Sequence, residues 1–293
     1  MRDVSIQESR SAGLVRIIRT DLKATFRRPA IRIATIIWVL QIVIFAYVIP
    51  FILYRTAADA IAPEVAKALG AGLDLAVLGE YVTASVPIYG IPVGITVGAI
   101  LVGSDYQSKT LGVLLARIPK RWCLGVSRLV AMMSVSMAMA LCSFIAAGIC
   151  SAVFSGIRGA GFVLHFGSIL SGLGATTLGL FSYAVLGSLF GYLTRSILGA
   201  VMLGLGWTFG IETLAIGMLS GSSGFFRQLY GMTLTGNIGS LPTALDRTGI
   251  LSAQAPLGVN TLHSGSVALT FIVCWFIVCA SFGIILLSRR DVS

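Results

Sequence analysis

Residues 33–53 read IATIIWVLQIVIFAYVIPFIL, twenty-one residues without a charge. A helix rises ~1.5 Å per residue and a bilayer's hydrocarbon core is ~30 Å thick, so a crossing takes about 20 apolar residues. This stretch is long enough to cross. Five more segments have the same character, at 84–102, 129–154, 166–194, 197–219 and 264–287. Only Thr194, Arg195 and Ser196 separate the fourth from the fifth, which predicts a tight turn. The composition agrees: of 293 residues 56% are apolar and 11% charged, against roughly 25% charged in soluble domains. The fold expected is an all-α integral membrane protein of six transmembrane helices.

Orientation follows from Lys and Arg, which are retained on the cytoplasmic side. With the N-terminus inside, sixteen of the 21 Lys and Arg fall in inner segments and five in outer ones. Both termini are therefore expected in the cytoplasm. The net charge of +10 then marks topology, and no nucleic-acid partner is expected. The chain divides into a cytoplasmic N-terminal segment at 1–32, a six-span domain at 33–287 and a short tail at 288–293. Thirty-two charged, amphipathic residues precede the first apolar run, which is too long for the h-region of a signal peptide.

Within the N-terminal segment, 14–28 reads LVRIIRTDLKATFRR. Leu14, Ile18, Leu22 and Phe26 recur every four residues, and Arg16, Arg19, Lys23 and Arg27 fill much of the rest. That period predicts a helix lying in the membrane interface, basic side chains toward the headgroups of the lipid bilayer. The largest outer segment, 220–263, holds seven glycines and several aromatic residues. It is too apolar for a plain solvated loop and fits short re-entrant helices before the last span, a backbone tolerated only where protein or a water-filled cavity covers it.

Several chemistries are excluded. The five cysteines, at 123, 142, 150, 274 and 279, show no CxxC spacing and no Cys/His cluster, so neither a metal site nor a disulfide framework is expected. Residues 103–110, GSDYQSKT, come within one residue of the phosphate-cradling loop GxxxxGK[ST]. Position 108 is Ser where that loop needs glycine, and the stretch follows an apolar span, not a strand. Two echoes of the ABC-ATPase signature, LSGSS at 219–223 and LSGLG at 170–174, fall on the outer face and inside a span. The chain is thus not expected to be an ATPase or another enzyme by itself, and no catalytic, cofactor-binding or metal residue is assigned.

The loop 103–128 carries a different signal. Leu111, Leu114 and Leu115 make an apolar stripe at helical spacing, ringed by Lys109, Arg117, Lys120 and Arg121, and Pro119 ends or restarts the helix. An amphipathic helix between two spans either lies on the membrane or enters a groove on a partner. The pattern resembles the second-to-third-span loop of ABC transporter permeases of the type-two exporter group. There an acid is followed by Gly-Thr, a leucine pair, Pro, Ser-Arg and a Lys. Asp105, Lys109-Thr110, Leu114-Leu115, Pro119, Lys120-Arg121 and Arg128 follow in step, with Asp for Glu, Lys for Gly and Arg for Lys as departures. The Lys-Thr form is nearer the bacteriocin-immunity and antibiotic-export branch. The six spans, the amphipathic N-terminal helix, the large last outer loop and the RRD at 289–291 extend the likeness.

That resemblance implies the membrane subunit of an ATP-driven exporter in a bacterial plasma membrane, moving a hydrophobic or amphipathic drug, peptide or lipid. Its energy would come from a separate ABC ATPase subunit, which holds the ATP and Mg. A second permease copy or homologue would complete the pathway. Asp105, Lys109, Thr110, Leu111, Leu114, Leu115, Pro119 and Arg121 would couple to that ATPase.

Glu212, in the fifth span, reads as the only carboxylate inside a span, and such groups face a cavity or a partner. It is either a pathway residue or a packing residue near a helix end. Gly206, Trp207, Gly210 and Glu212 together make the fifth span the candidate pathway or dimer seam. The other small-xxx-small pairs, Gly94/Gly98, Gly187/Gly191 and Gly217/Gly221, read first as close packing within the bundle. Pro87 and Pro92 are expected to shape the second span, and His165 and His263 to be solvated. The competing function is a proton-coupled secondary transporter using Glu212. Against it stands the lack of an internal repeat, which many such carriers show. A membrane enzyme acting on lipids is disfavoured because the inner acids are scattered singly.

Overall fold

The structure, a computed structural model, describes residues 2–60, 63–108, 121–159, 161–247, 249, 251 and 256–289. Every regular element among them is helical. Six helices are long and apolar enough to cross a membrane: Pro29–Thr56, Leu75–Gln107, Trp122–Arg158, Phe166–Thr194, Ile197–Gly217 and Gly265–Leu287. The chain is an all-α, multi-pass membrane protein. With six crossings Pro29 and Leu287 lie on one side, the terminal side; the other is the distal side.

The second and fourth spans form the centre. Their most apolar windows are 72% and 61% buried, against 22% for the first, fifth and sixth spans. Between helices in lipid the hydrophobic effect supplies little, so close backbone approach and interhelical hydrogen bonds hold them. The glycine pairs supply the approach. A Cβ on Gly98 would fall into the Ala184 carbonyl, and one on Gly187 into that of Ile95. Nearer the distal side, Thr83 Oγ1 reaches the Gly172 carbonyl at 3.2 Å and Thr176 Oγ1 at 3.3 Å. Gly94/Gly98 and Gly187/Gly191 thus pack within one bundle. Gly206 and Gly210 do not: a side chain at either would meet open space.

The turn between the fourth and fifth spans is as tight as its three residues require. Arg195 adopts a left-handed conformation at φ 54°, rare for a non-glycine. Ser196 then caps the fifth span, its side chain accepting from Gly199 N at 3.4 Å.

Among the described residues three helices contain π-helical turns, at Ile42–Val48, Val86–Gly90 and Gly206–Gly217. Pro87 lies inside the second of these, so the distal half of the second span absorbs its proline by widening the helix. That span is also longer than the apolar run suggests. It reaches from Leu75 to Gln107 and carries Glu80 near one end and Asp105 near the other, both buried. Glu212 is therefore not the only carboxylate on a spanning helix.

The N-terminal helix, Arg2–Arg27, ends where Pro29 forces Arg28 into an extended conformation. It packs against the first part of the third helix, Arg121–Arg158. Ile17, Ile18, Asp21, Leu22 and Thr25 turn inward. Phe26, expected on the same stripe, is 43% exposed and shares the outer edge with Val15, and the side chain of Leu14 lies outside the described residues. The correction has a simple cause. The helix docks on protein through the Ile18/Leu22 line and leaves its Val15/Phe26 edge and basic face outside.

On the distal side, the first part of 220–263 folds into two helices. Helices Gly224–Met232 and Leu234–Leu245 meet at Thr233, and the second is buried from Leu234 through Pro242. It sits among the distal part of the second span, the fourth span and the sixth span.

Candidate functional site

The side chains that gather chemistry lie at the root of the loop 103–128. Asp105 is the last acid of the second span and Arg128 stands two turns into the third helix. Arg128 Nη2 donates to Asp105 Oδ2 at 2.5 Å, and Nη1 donates to Asp21 Oδ1 at 2.8 Å. Asp21 comes from the N-terminal helix, and its other oxygen accepts from Ser127 Oγ at 2.9 Å. Arg28, which opens the first span, completes the set. It donates to Asp105 Oδ1 at 3.4 Å, Ser104 Oγ at 2.6 Å and the Ile100 carbonyl at 3.3 Å.

The cluster is buried and balanced. Two carboxylates face two guanidiniums, and the side chains of Arg128, Asp105 and Asp21 are 4%, 8% and 10% exposed. Arg28 is the most open. Arg suits the central place because its planar fork serves two carboxylates from opposite ends, which a Lys cannot do. A void of about 10 Å³, bordered by Asp105, Arg128 and Tyr192, is roughly the size of one water. The result is a tie between four elements: the N-terminal helix and the first three spans.

Sequence reasoning found Asp105 and set Arg128 in the motif, but missed Asp21, Arg28 and Ser127. A signal was present for Asp21. It sits three residues after Ile18 and four before Thr25, on the inward face of its helix. A charge on an apolar stripe asks for a partner. The rest of the expected coupling set, Lys109, Thr110, Leu111, Leu114, Leu115 and Pro119, lies outside the described residues. Arg121 begins the third helix, and its side chain lies outside them too.

The second expected group is on the fifth span. Glu212 is fully buried, and its role is visible. One oxygen accepts from Trp207 Nε1 at 2.7 Å; the other accepts from the backbone N–H of Thr235 at 2.9 Å. Thr235 is in the first turn of helix Leu234–Leu245. Glu212 therefore caps a helix N-terminus, where backbone N–H groups are unpaired and negative charge is favoured. The π-turn makes this possible, because bonding from i to i+5 aligns residues five apart, as Trp207 and Glu212 are. Gly206 and Gly210 face away from the bundle, while Glu212, held by Trp207, ties the fifth span to helix Leu234–Leu245.

Two asparagines hold the same distal region. Asn237 Nδ2 donates to the Gly231 and Thr233 carbonyls at 2.6 and 2.7 Å. Asn260 donates to the Gly236 carbonyl at 2.9 Å and accepts from Ser240 Oγ at 2.7 Å. His263, expected to be solvated, is half-buried. Its Nδ1 lies 3.0 Å from Asn237 Oδ1 and its ring stacks on Phe271. His165 is exposed, as expected. Burial, with the Glu212 carboxylate nearby, pushes the Tyr230 phenol up to about 12. Among the described residues no group of three or more His, Cys, Asp or Glu gathers to hold a metal ion, and the five cysteines are free.

The fold and these two polar centres define a multi-pass helical membrane protein with a buried ion-pair cluster on its terminal side and a capped, buried helix on its distal side. Compared with known proteins, the chain matches no family model, and no curated protein matches it significantly.

Proposed function

We propose that this chain is the membrane-spanning permease subunit of an ATP-driven ABC exporter. It works with a separate ATPase subunit and a second permease copy or homologue, and moves a hydrophobic or amphipathic substrate across a bacterial plasma membrane. The observation that carries the reading is the ion-pair cluster at the root of the loop. A force applied to residues 109–120 reaches Asp105 on one side and Arg128 on the other, and those two are bonded to each other, to the N-terminal helix and to the first span. A docked ATPase would thus move three spans and a helix as one body. In this reading Asp105 is a positioning residue, and Leu114, Leu115 and Arg121 make the docking contact.

The test is purification of the full chain from its native membrane in mild detergent, with co-eluting proteins identified and ATPase activity assayed. A stoichiometric partner carrying Walker A and LSGGQ motifs is expected. Arg121→Glu should insert normally yet lose both partner and transport; normal transport by that variant would sink the docking assignment.

The competing reading is a proton-coupled carrier using Glu212. That carboxylate receives two hydrogen bonds and caps a helix, which supports a structural role over a cycling one. Dissipating the proton gradient while ATP is maintained separates the two: the exporter continues and the carrier stops.

A further inference from the structure

Between the distal halves of the first and second spans lies a cavity of about 170 Å³. Phe45 and Ala46 come from one π-turn and Ile88 and Tyr89 from another, and the two turns face each other across it. π-turns inside α-helices are uncommon and recur at functional sites. The Phe45 and Tyr89 rings stack at 4.9 Å to form one wall. Tyr81, Pro256 and Leu257 complete the lining, which carries the hydroxyls of Tyr81, Ser85 and Tyr89 but no charged side chain.

The space exists because small residues stand where larger ones would fill it. Ala46, Ala84 and Ser85 line it and are each no more than 6% exposed. Of its lining residues, Phe45 is exposed on the first span's outer face, beside Ile44 and Ile49, and Leu257 is exposed at the distal end. In a bilayer that face meets acyl chains. The volume is close to the ~150 Å³ of an apolar cavity that stays dry and takes one aromatic ring, and well below the ~300 Å³ of the smallest drug-sized pockets. It therefore holds part of a molecule, with the remainder outside.

We propose that this cavity binds the alkyl chain of a membrane amphiphile, entering sideways from the bilayer between the first and second spans. Ala46 and Ala84 admit the chain, and the Phe45–Tyr89 pair grips it. The headgroup stays at the distal interface, since no charged side chain in the lining offsets its charge. The site stands on the membrane placement alone and holds whether or not the chain serves an ATPase.

The test uses the purified full chain in nanodiscs, without any partner. One arm contains phosphatidylcholine with a diazirine near the end of one acyl chain; the other contains a photoreactive free fatty acid. After irradiation, labelled peptides are mapped. Saturable labelling at Tyr81–Tyr89, above that at the lipid-facing Ile145 and Ile149, is expected in at least one arm, and the stronger arm identifies the source of the chain. Ala46→Leu should lower that labelling about tenfold, the change produced by ~1.4 kcal/mol of lost binding, with Ile145 and Ile149 unaffected. Ala84→Val serves if Ala46→Leu does not fold. Labelling at Tyr81–Tyr89 that does not saturate, equals that at Ile145 in both arms and ignores the filled variant overturns the proposal.

Discussion

Arg128 illustrates what one side chain can hold in this protein. Its two terminal nitrogens each serve a different carboxylate from a different element. Replacing it with Met leaves Asp21 and Asp105 buried beside each other, and removing one partner of a buried ion pair typically costs about 3–5 kcal/mol. Arg128→Met should therefore lower the melting temperature and speed tryptic release of the N-terminal helix at Arg16, Arg19 and Lys23. Arg128→Lys should fall between, keeping the charge but reaching only one acid. Wild-type release in both variants would mean that the helix is held by something else. The sequence made half of this cluster legible. Asp105 and Arg128 stood out by their place around a loop. Arg28 was hidden in a basic run, because a charged side chain's partner 77 residues away leaves no local trace. Glu212 was legible as unusual, but its cap role depends on a helix further along the chain.

At the scale of elements, apolar length set the spans well and their ends poorly. The second span was read as 84–102 and runs over Leu75–Gln107, because Glu80 and Asp105 interrupt the apolar window while the helix continues through them with their charges buried. The distal helices were legible as short re-entrant helices, but not their bounds or the burial of the second. The π-turns were not legible at all: they exchange an i−4 hydrogen bond for an i−5 one, and no residue type encodes that exchange. The glycines of the second and fourth spans were read correctly, and they give a sharp expectation. Gly98→Leu drives a side chain into the Ala184 backbone, and backbone cannot yield as a flexible side chain can. It should abolish monodisperse elution from detergent, whereas Gly210→Leu, facing open space, should elute as the wild type does. A well-behaved Gly98→Leu would show that the two central helices are not packed as described.

At the scale of the whole molecule, the distribution of Lys and Arg predicts that the side holding the start of the first span and the end of the sixth faces the cytoplasm. In a cysteine-free background, Ser222→Cys should react with an impermeant maleimide in intact cells, and Ser108→Cys only after permeabilisation. The reverse pattern would invert the topology and, with it, any docking of an ATPase at the loop. The buried distal helix adds a constraint of order in time. Helix Leu234–Leu245 follows the fifth span in the chain, yet it packs against the sixth, whose Trp275 indole donates to the Met232 carbonyl at 2.8 Å. As a ribosome feeds the chain into the membrane, this helix emerges before one of its walls has been made. Until residue 275 arrives, this helix leans on Glu212, the second and fourth spans and Asn260, so the distal face stays open until the sixth span is made.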